Sequence, residues 1–552
     1  MRPCSLAGLL MLVVPLSGCT HLKEYIHNGF KVGPNYCRPP APAAENWIDA
    51  ADVRVRNEND DLRRWWTVFN DPVLNALVCD AYLQNLTLRQ AGCRVLQARA
   101  QQAIAVGNFF PQTQQATGDY RRYARSTAVP NRTNVRSPFY SQWTYGFTLA
   151  WELDFWGRFR RAVESANHSL DASVEDYDYV LVTLLGDVAT YYAQVRTFEQ
   201  RIAYARTNVD LQRQTLKLAE ARYQAGTTAE LDVLQARSTL EQTEGQVAEL
   251  EISLRQANNQ LCVLLGIPPE ELRARLGPGH ILTAPAEVAV GIPADLLRRR
   301  PDVRRAERQA AAQSAQIGVA EADFYPHLSI TGTINYSAGT PLLPRPAVLG
   351  GPVTPMALEG NIGPTFQWNI LNYGRIMNNV RLQDARFQEL VAAYQSTVLT
   401  AAQEVENGLV TFLQAQERAK FQAASVEDAE KAVRHVVAQY REGTVDFTRV
   451  TQIEQNLVPL LDTLAQARGE IGLGLIQAYR ALGGGWQIRL TGCETTALPP
   501  QGVPRPPDGT RLDPGLTPVS APPKPPPKDE KAPMSERRHS SSVGFASLRE
   551  EP

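Results

Sequence analysis

The chain carries its own copy, and that repeat constrains the fold more than any other feature. RYQAGTTAELDVLQA (residues 222–236) and QYREGTVDFTRVTQIE (439–454) each hold a Tyr, a Gly-Thr pair and then a run of helical character. Tyr223 and Tyr440 lie 217 residues apart, as do Gly226 and Gly443. The same interval relates WELDFWGR (151–158) to WNILNYGR (368–375), and Gly266 to Gly483. Upstream, NFFPQ (108–112) matches DFYPH (323–327) at 215, a two-residue slip that a loop can absorb. One structural unit is used twice.

Each copy contains a very long helix. Between Phe159 and Ala225 there is no proline and one glycine, Gly186. Apolar or small residues recur at 181, 184, 188, 191, 195, 198, 202, 205 and 209. That unbroken 3-then-4 spacing predicts a left-handed supercoiled helix. Leu181, Val188, Val195, Ile202 and Val209 form one column; Leu184, Tyr191, Phe198 and Ala205 form the other. At 1.5 Å per residue such a helix runs about 100 Å. Residues 375–442 match it, with one glycine, Gly408, and no proline. Both end at a Gly-Thr corner and lead into further helical stretches, 229–265 and 447–482. Glycine ends a helix in the left-handed conformation. The Thr after it is expected to cap the next helix through its hydroxyl. The chain therefore has two helical hairpin tips.

The other end of each copy is β. Trp143, Tyr145, Phe147, Leu149, Trp151, Leu153 and Phe155 alternate with Thr144, Gly146, Thr148, Ala150, Glu152 and Asp154, which predicts a strand with one apolar face. Leu328, Ile330, Ile334 and Tyr336 suggest a second strand; Leu358, Ile362, Phe366, Trp368 and Ile370 a third. Pro364 should mark a bend or an unpaired site there. A fourth strand near 113–124 shows only Tyr120 and Tyr123. A soluble sheet would alternate in the same way. The aromatic faces and the strand length favour a membrane barrel. Four strands cannot close one, since small barrels need about eight, so a membrane reading forces oligomerisation.

The N-terminus supplies that membrane. Arg2, a brief apolar stretch and then LSGC (16–19) read as a secretory signal, too short to span a bilayer. LSGC resembles the bacterial lipobox, which implies that Cys19 is acylated; Thr20, in place of an Asp, favours the outer membrane. The remaining cysteines, 37, 79, 93, 262 and 493, form no C-x-x-C or metal spacing and suggest no disulfide framework. Lys+Arg (56) and Asp+Glu (57) balance to a net charge of −1, which gives no reason to expect nucleic acid. The one basic run, 298–308, reads as a solvated helix face. Residues 33–45 read as an extended linker on the surface, and the Pro-rich stretch from about 498 onward as disordered.

LSGC, VGPNYCRPP (32–40), IPADLLRRRPDVRRAER (292–308), the duplication, the FFP/FYP junctions and the two Gly-Thr corners together resemble the lipoprotein branch of the TolC-type outer-membrane efflux factors, the NodT-like outer-membrane efflux lipoproteins. The resemblance covers Cys19 to about Trp486. It implies a mainly α fold with a β-barrel: a duplicated helix–strand–strand–helix unit forming a trimeric, twelve-stranded outer-membrane barrel that continues into a twelve-helix periplasmic coiled-coil tunnel. A mixed belt at the waist would draw on 46–69, 267–290 and 486–496. The expected divisions are a signal peptide (1–18), an acylated linker (19–60), a first repeat (61–270), a second repeat (271–486), and a belt remnant with the tail (487–552).

The implied function is a passive duct of a tripartite efflux system that exports small toxic compounds. Its partners would be two further copies of itself, a periplasmic adaptor, an inner-membrane pump and outer-membrane lipid, with no cofactor beyond the lipid on Cys19. Gly226, Thr227, Gly443 and Thr444 would be the adaptor-docking tips. The periplasmic gate would involve Asp232, Tyr440, Thr448, Arg449 and Gln452. Members with an acidic constriction carry aspartates six and nine residues after the second glycine, where this chain has Arg449 and Gln452. Asp232, six after Gly226, is expected to accept a hydrogen bond from Tyr440 on the neighbouring hairpin. Arg449 either faces the lumen or pairs with Asp446 or Glu454.

Other classes fit less well. The seven histidines are dispersed, and no H-E-x-x-H, G-x-S-x-G or P-loop motif occurs. His435 reads as a packing or surface residue, and Glu404 and Glu406 point apart. No enzyme is expected. A non-pore coiled-coil lipoprotein would have no use for four aromatic strands. A type I protein-secretion duct would share the whole architecture.

Overall fold

The computed structural model describes residues 22–56, 62–124, 139–291, 293–339 and 357–493. Cys19, the signal segment, residues 494–496 of the belt and the Pro-rich tail lie outside them. The chain opens with helix α1 (Leu22–His27), strand β1 (Val55–Arg56) and a 3-10 helix (Leu62–Phe69). The first repeat follows as α2 (Pro72–Gln84), α3 (Leu86–Gly107), β2 (Thr113–Ala124), β3 (Phe139–Leu153), α4 (Arg158–Gln224) and α5 (Glu230–Leu264). After α6 (Arg273–Leu276) and β4 (Val288–Ala289) comes the second: α7 (Leu296–Arg299), α8 (Pro301–Ala322), β5 (His327–Gly339), β6 (Ala357–Gln367), α9 (Arg375–Glu442) and α10 (Phe447–Ala481), with a short α11 (Ile488–Thr491) behind it.

The sequence repeat is a structural repeat. α4 and α9 have 67 and 68 residues, and α5 and α10 have 35 each. Both junctions between helix and strand are locked by a tryptophan. Trp151 Nε1 donates to Phe109 O (3.2 Å), and Trp368 Nε1 donates to Phe324 O (2.9 Å). Of the two predicted columns of α4, the first is buried, from Leu181 and Val188 at 0% exposure to Ile202 at 6%, while Tyr191 and Phe198 of the second are half-buried. No helix among the described residues is long and apolar enough to cross a membrane.

The four strands make one antiparallel sheet in the order β2-β3-β5-β6. Its register places Tyr145 opposite Tyr336, Phe147 opposite Ile334 and Trp151 opposite Ile330, so the apolar residues share one face. Thr144, Thr148, Glu152, Ser329, Thr333 and Asn361 share the other. A soluble sheet would cover its apolar face with another layer. Here Trp143, Phe147, Ile362 and Phe366 are 59–76% exposed, as the wall of a bilayer-facing barrel requires. The free edges of β2 and β6 must also be paired by further strands in hydrocarbon.

Three strand expectations change. The weak fourth strand is a full ladder, Thr113–Ala124 against Ala150–Phe139, with Tyr120 and Tyr123 on opposite faces. It was hard to see because β2 carries Ala116, Gly118 and Ala124 where its neighbour has large apolar residues. Pro364 causes no break: it pairs opposite Ile330 on β6, an edge strand where a missing N–H is tolerated. Trp368 and Ile370 lie beyond the end of β6, as Asp154 and Phe155 lie beyond the end of β3.

The waist holds the main core. Trp65, Trp66, Leu74, Leu185, Tyr192, Leu261, Phe412, Leu475 and Tyr479 join the belt segments to all four halves of the hairpins. β1 and β4 pair in parallel there, and Trp47 Nε1 donates to Gly291 O (2.9 Å). The basic run is not a solvated face. Arg300 is buried, ion-paired to Asp302 and Glu404, while Arg304 and Arg305 reach Glu175 and Asp176 on α4. The linker is anchored rather than merely laid down. Buried Arg161 donates to Val32 O (3.0 Å), Gly33 O (2.7 Å) and Asn35 Oδ1 (3.0 Å), and Gly33 packs directly on the Gly318 backbone.

The absence of a disulfide framework also needs correction. Cys79 and Cys493 are disulfide-bonded, their Cα atoms 5.7 Å apart across 414 residues of sequence. Spacing could not show this, because only the return of the C-terminal segment to α2 brings the two together.

Candidate entrance at the helical tips

Both Gly-Thr corners form the same local motif. The N–H groups of Gly226 and Thr227 donate to Tyr223 O and Arg222 O, each at 2.9 Å; those of Gly443 and Thr444 donate to Tyr440 O (3.1 Å) and Gln439 O (3.0 Å). These paired bonds are the Schellman closure of a helix, which needs a left-handed residue. Gly226 and Gly443 supply it at φ +72° and +76°. A side chain at Gly226 would meet nothing, so the backbone angle is what demands glycine there within this chain.

The threonines work backwards from the expectation. Thr227 Oγ1 donates to Arg222 O and Thr444 Oγ1 to Gln439 O, each at 3.0 Å, closing the helix behind rather than capping the one ahead. α10 is instead capped by Asp446, whose carboxylate accepts from Arg449 N (3.2 Å), and α5 starts at Ala229 with no side-chain cap. Asp446→Ala is therefore expected to loosen the start of α10 by about 1 kcal/mol, and Thr444→Ala by much less, because the Gln439 carbonyl keeps its bond from the Thr444 amide. Amide exchange at Phe447–Val450 would report the difference.

The residues expected at the gate divide into two groups. Asp232 does not take the Tyr440 hydroxyl: its carboxylate accepts from Thr228 Oγ1, one turn away on the same hairpin. The Tyr440 hydroxyl is buried with Thr228 beside it but no well-formed hydrogen bond, and burial raises its pKa. What joins the two tips is Arg222, which sequence reasoning missed. Its guanidinium stacks over the Tyr440 ring, 4.4 Å from the centroid, and donates to Tyr440 O. Its position in the last turn of α4, where a cation meets the helix dipole, was the available signal. Beneath it Val233, Ala236, Val436, Tyr440, Phe447 and Val450 form a small apolar core shared by both hairpins.

Thr448, Arg449 and Gln452 form the second group, exposed along one side of α10. Neither proposed acidic partner engages the Arg449 side chain. Asp446 caps its backbone, and Glu454 is buried against Thr215. The arrangement can close, shield and charge an opening; among the described residues no group of three or more His, Cys, Asp or Glu could hold a metal.

A family model described as "Outer membrane efflux protein" matches residues 77–267 and 292–484, the two repeats in turn. Nodulation protein T of Rhizobium leguminosarum bv. trifolii is 30% identical over 443 residues, covering 80% of this chain and 91% of that protein. The pyoverdine export outer membrane protein OpmQ of Pseudomonas aeruginosa is 31% identical, covering 78% of this chain and 89% of that protein. The solved outer-membrane channel OprN superposes with a TM-score of 0.73 at 32% identity, covering 83% of this chain and 99% of that one.

Proposed function

The chain belongs to the outer membrane efflux protein family, and from that premise we propose that it is the outer-membrane duct of a tripartite efflux system, passing small toxic compounds out of the periplasm. The observation that carries the reading is the pairing of an uncovered apolar barrel face at one end with two matched hairpin tips at the other. Three copies would join β6 of one to β2 of the next, giving twelve strands and leaving no free edge in the bilayer. The twelve long helices would continue below as a tunnel. Cys19, once acylated, would add a lipid anchor beside the barrel.

The six tips of such a trimer would meet a periplasmic adaptor, and through it an inner-membrane pump that selects the cargo. Gly226, Thr227, Gly443 and Thr444 would present their backbone there, with Arg449 lining the entrance. Relatives named for toluene efflux and for cation efflux support small solutes over secreted proteins as cargo. Electron microscopy of the detergent-solubilised protein tests the assembly. A three-fold tube whose helical part is about 100 Å long supports it, and a particle without a three-fold channel overturns it.

A further inference from the structure

Two turns into α10, one carboxyl sits where water does not reach. Glu454 is 4% exposed, and its one hydrogen bond is from Thr215 Oγ1 (2.6 Å) on α4. The two residues belong to different hairpins, α4–α5 and α9–α10, so the bond crosses the seam between them. We infer that Glu454 is a proton-responsive latch on the entrance: protonated, it holds the two hairpins together through Thr215; ionised, it drives them apart to reach water. The inference rests on the duct reading for its meaning, since separating the hairpins is what would widen the mouth.

Among the described residues no charge compensates Glu454. On α4, Arg213 is taken by Asp210 and Glu244, and Lys217 is exposed. On α5, Arg237 pairs with Glu220. On α9, Arg434 and His435 are exposed; on α10 itself, Arg449 is exposed and Asp462 is held by Arg201. The buried residues one turn to either side of it on α10 are apolar, Val450 and Leu457, and the buried side chain one turn from Thr215, Gln212, is uncharged. Burial accordingly pushes the Glu454 carboxyl up from 4.5 to about 7, and the Thr215 bond offsets only part of that.

The sign follows from linkage. In the open state the carboxyl is hydrated and ionises near 4.5; in the closed state it holds its proton to about 7. The closed state is thus fully favoured below the lower value, loses ground about tenfold per pH unit between the two, and changes no further above the upper one. The whole change is on the order of a hundredfold. Glu175, also raised to about 7, titrates at the waist against Arg304, so the assignment needs a variant at Glu454 itself.

The full-length protein in a planar bilayer provides the test. Wild type should open progressively from about pH 5 to about pH 7 and hold steady beyond. Glu454→Gln, neutral and of the same shape, should stay at the acid-state level throughout. Thr215→Val, which removes the one bond that supports the buried carboxylate, should carry the rise in opening beyond pH 7. A flat wild-type profile, or a Glu454→Gln profile that keeps the wild-type rise, overturns the latch. If no preparation conducts at any pH, the duct reading fails on its own, and trypsin cleavage after Lys217 then reads the latch directly. Faster cutting of wild type than of Glu454→Gln at neutral pH supports it, and equal rates overturn it.

Discussion

Phe147→Arg is expected to cost the folded barrel about 2–4 kcal/mol, and Thr148→Arg, the next residue, little. Phe147 sits midway along β3 opposite Ile334, 68% exposed on the face where Trp143, Tyr145 and Trp151 also lie. If that face meets lipid, an arginine there has neither water nor a counter-charge. Thr148 sits on the opposite face, opposite Thr333, where the interior of the barrel admits water. Denaturant unfolding in lipid vesicles, compared between the two variants, reads the difference. Equal costs would mean that the apolar face is covered by protein rather than by lipid.

Arg489→Met is expected to cost about 3–5 kcal/mol, because it strands a buried charge. Asp178 on α4 is fully buried, and Arg489 on α11 grips it with two bonds of 2.7 and 3.0 Å. Burial pushes the Asp178 carboxyl up while Arg489 pulls it down, so losing the arginine favours the neutral acid. The deficit should therefore shrink as pH falls and a proton replaces the guanidinium. Asp178→Leu combined with Arg489→Met should recover most of it. Thermal unfolding of the wild type and the two variants gives the comparison, and a double variant no better than Arg489→Met would contradict the stranded-charge account. The Cys79–Cys493 bond pins the same C-terminal segment to α2, and its reduction should cost about a further 2–4 kcal/mol.

Much of this architecture was legible in one dimension, for identifiable reasons. Heptad spacing along α4 is a local property of a long helix, and Leu181 to Val209 are buried where that spacing puts them. Period-2 alternation in β3 was as clear, because every second residue is large and apolar. β2 hid itself because an edge strand with small residues in place of large apolar ones has no such contrast. The helix stops were visible as glycines, since only the left-handed angle is needed and Gly226 and Gly443 both adopt it.

The chemistry of the helical tips was legible in part. The tip positions followed from the repeat, but Thr227 and Thr444 bond backwards, Asp232 takes Thr228 rather than Tyr440, and Arg222 bridges the hairpins unannounced. Each of these is a choice among partners within a few ångströms of one another, and sequence spacing does not rank them. The sequence by itself determined the duplication, the two long hairpins, three of the four strands and their apolar face, because periodicity and glycine geometry are local. Only the tertiary structure decided the Cys79–Cys493 bond, the anchoring of Gly33 on Gly318, and the isolation of Glu454 beside Thr215. Those depend on which surfaces of distant segments meet, and burial, which sets the cost of a charge, exists only once they have met.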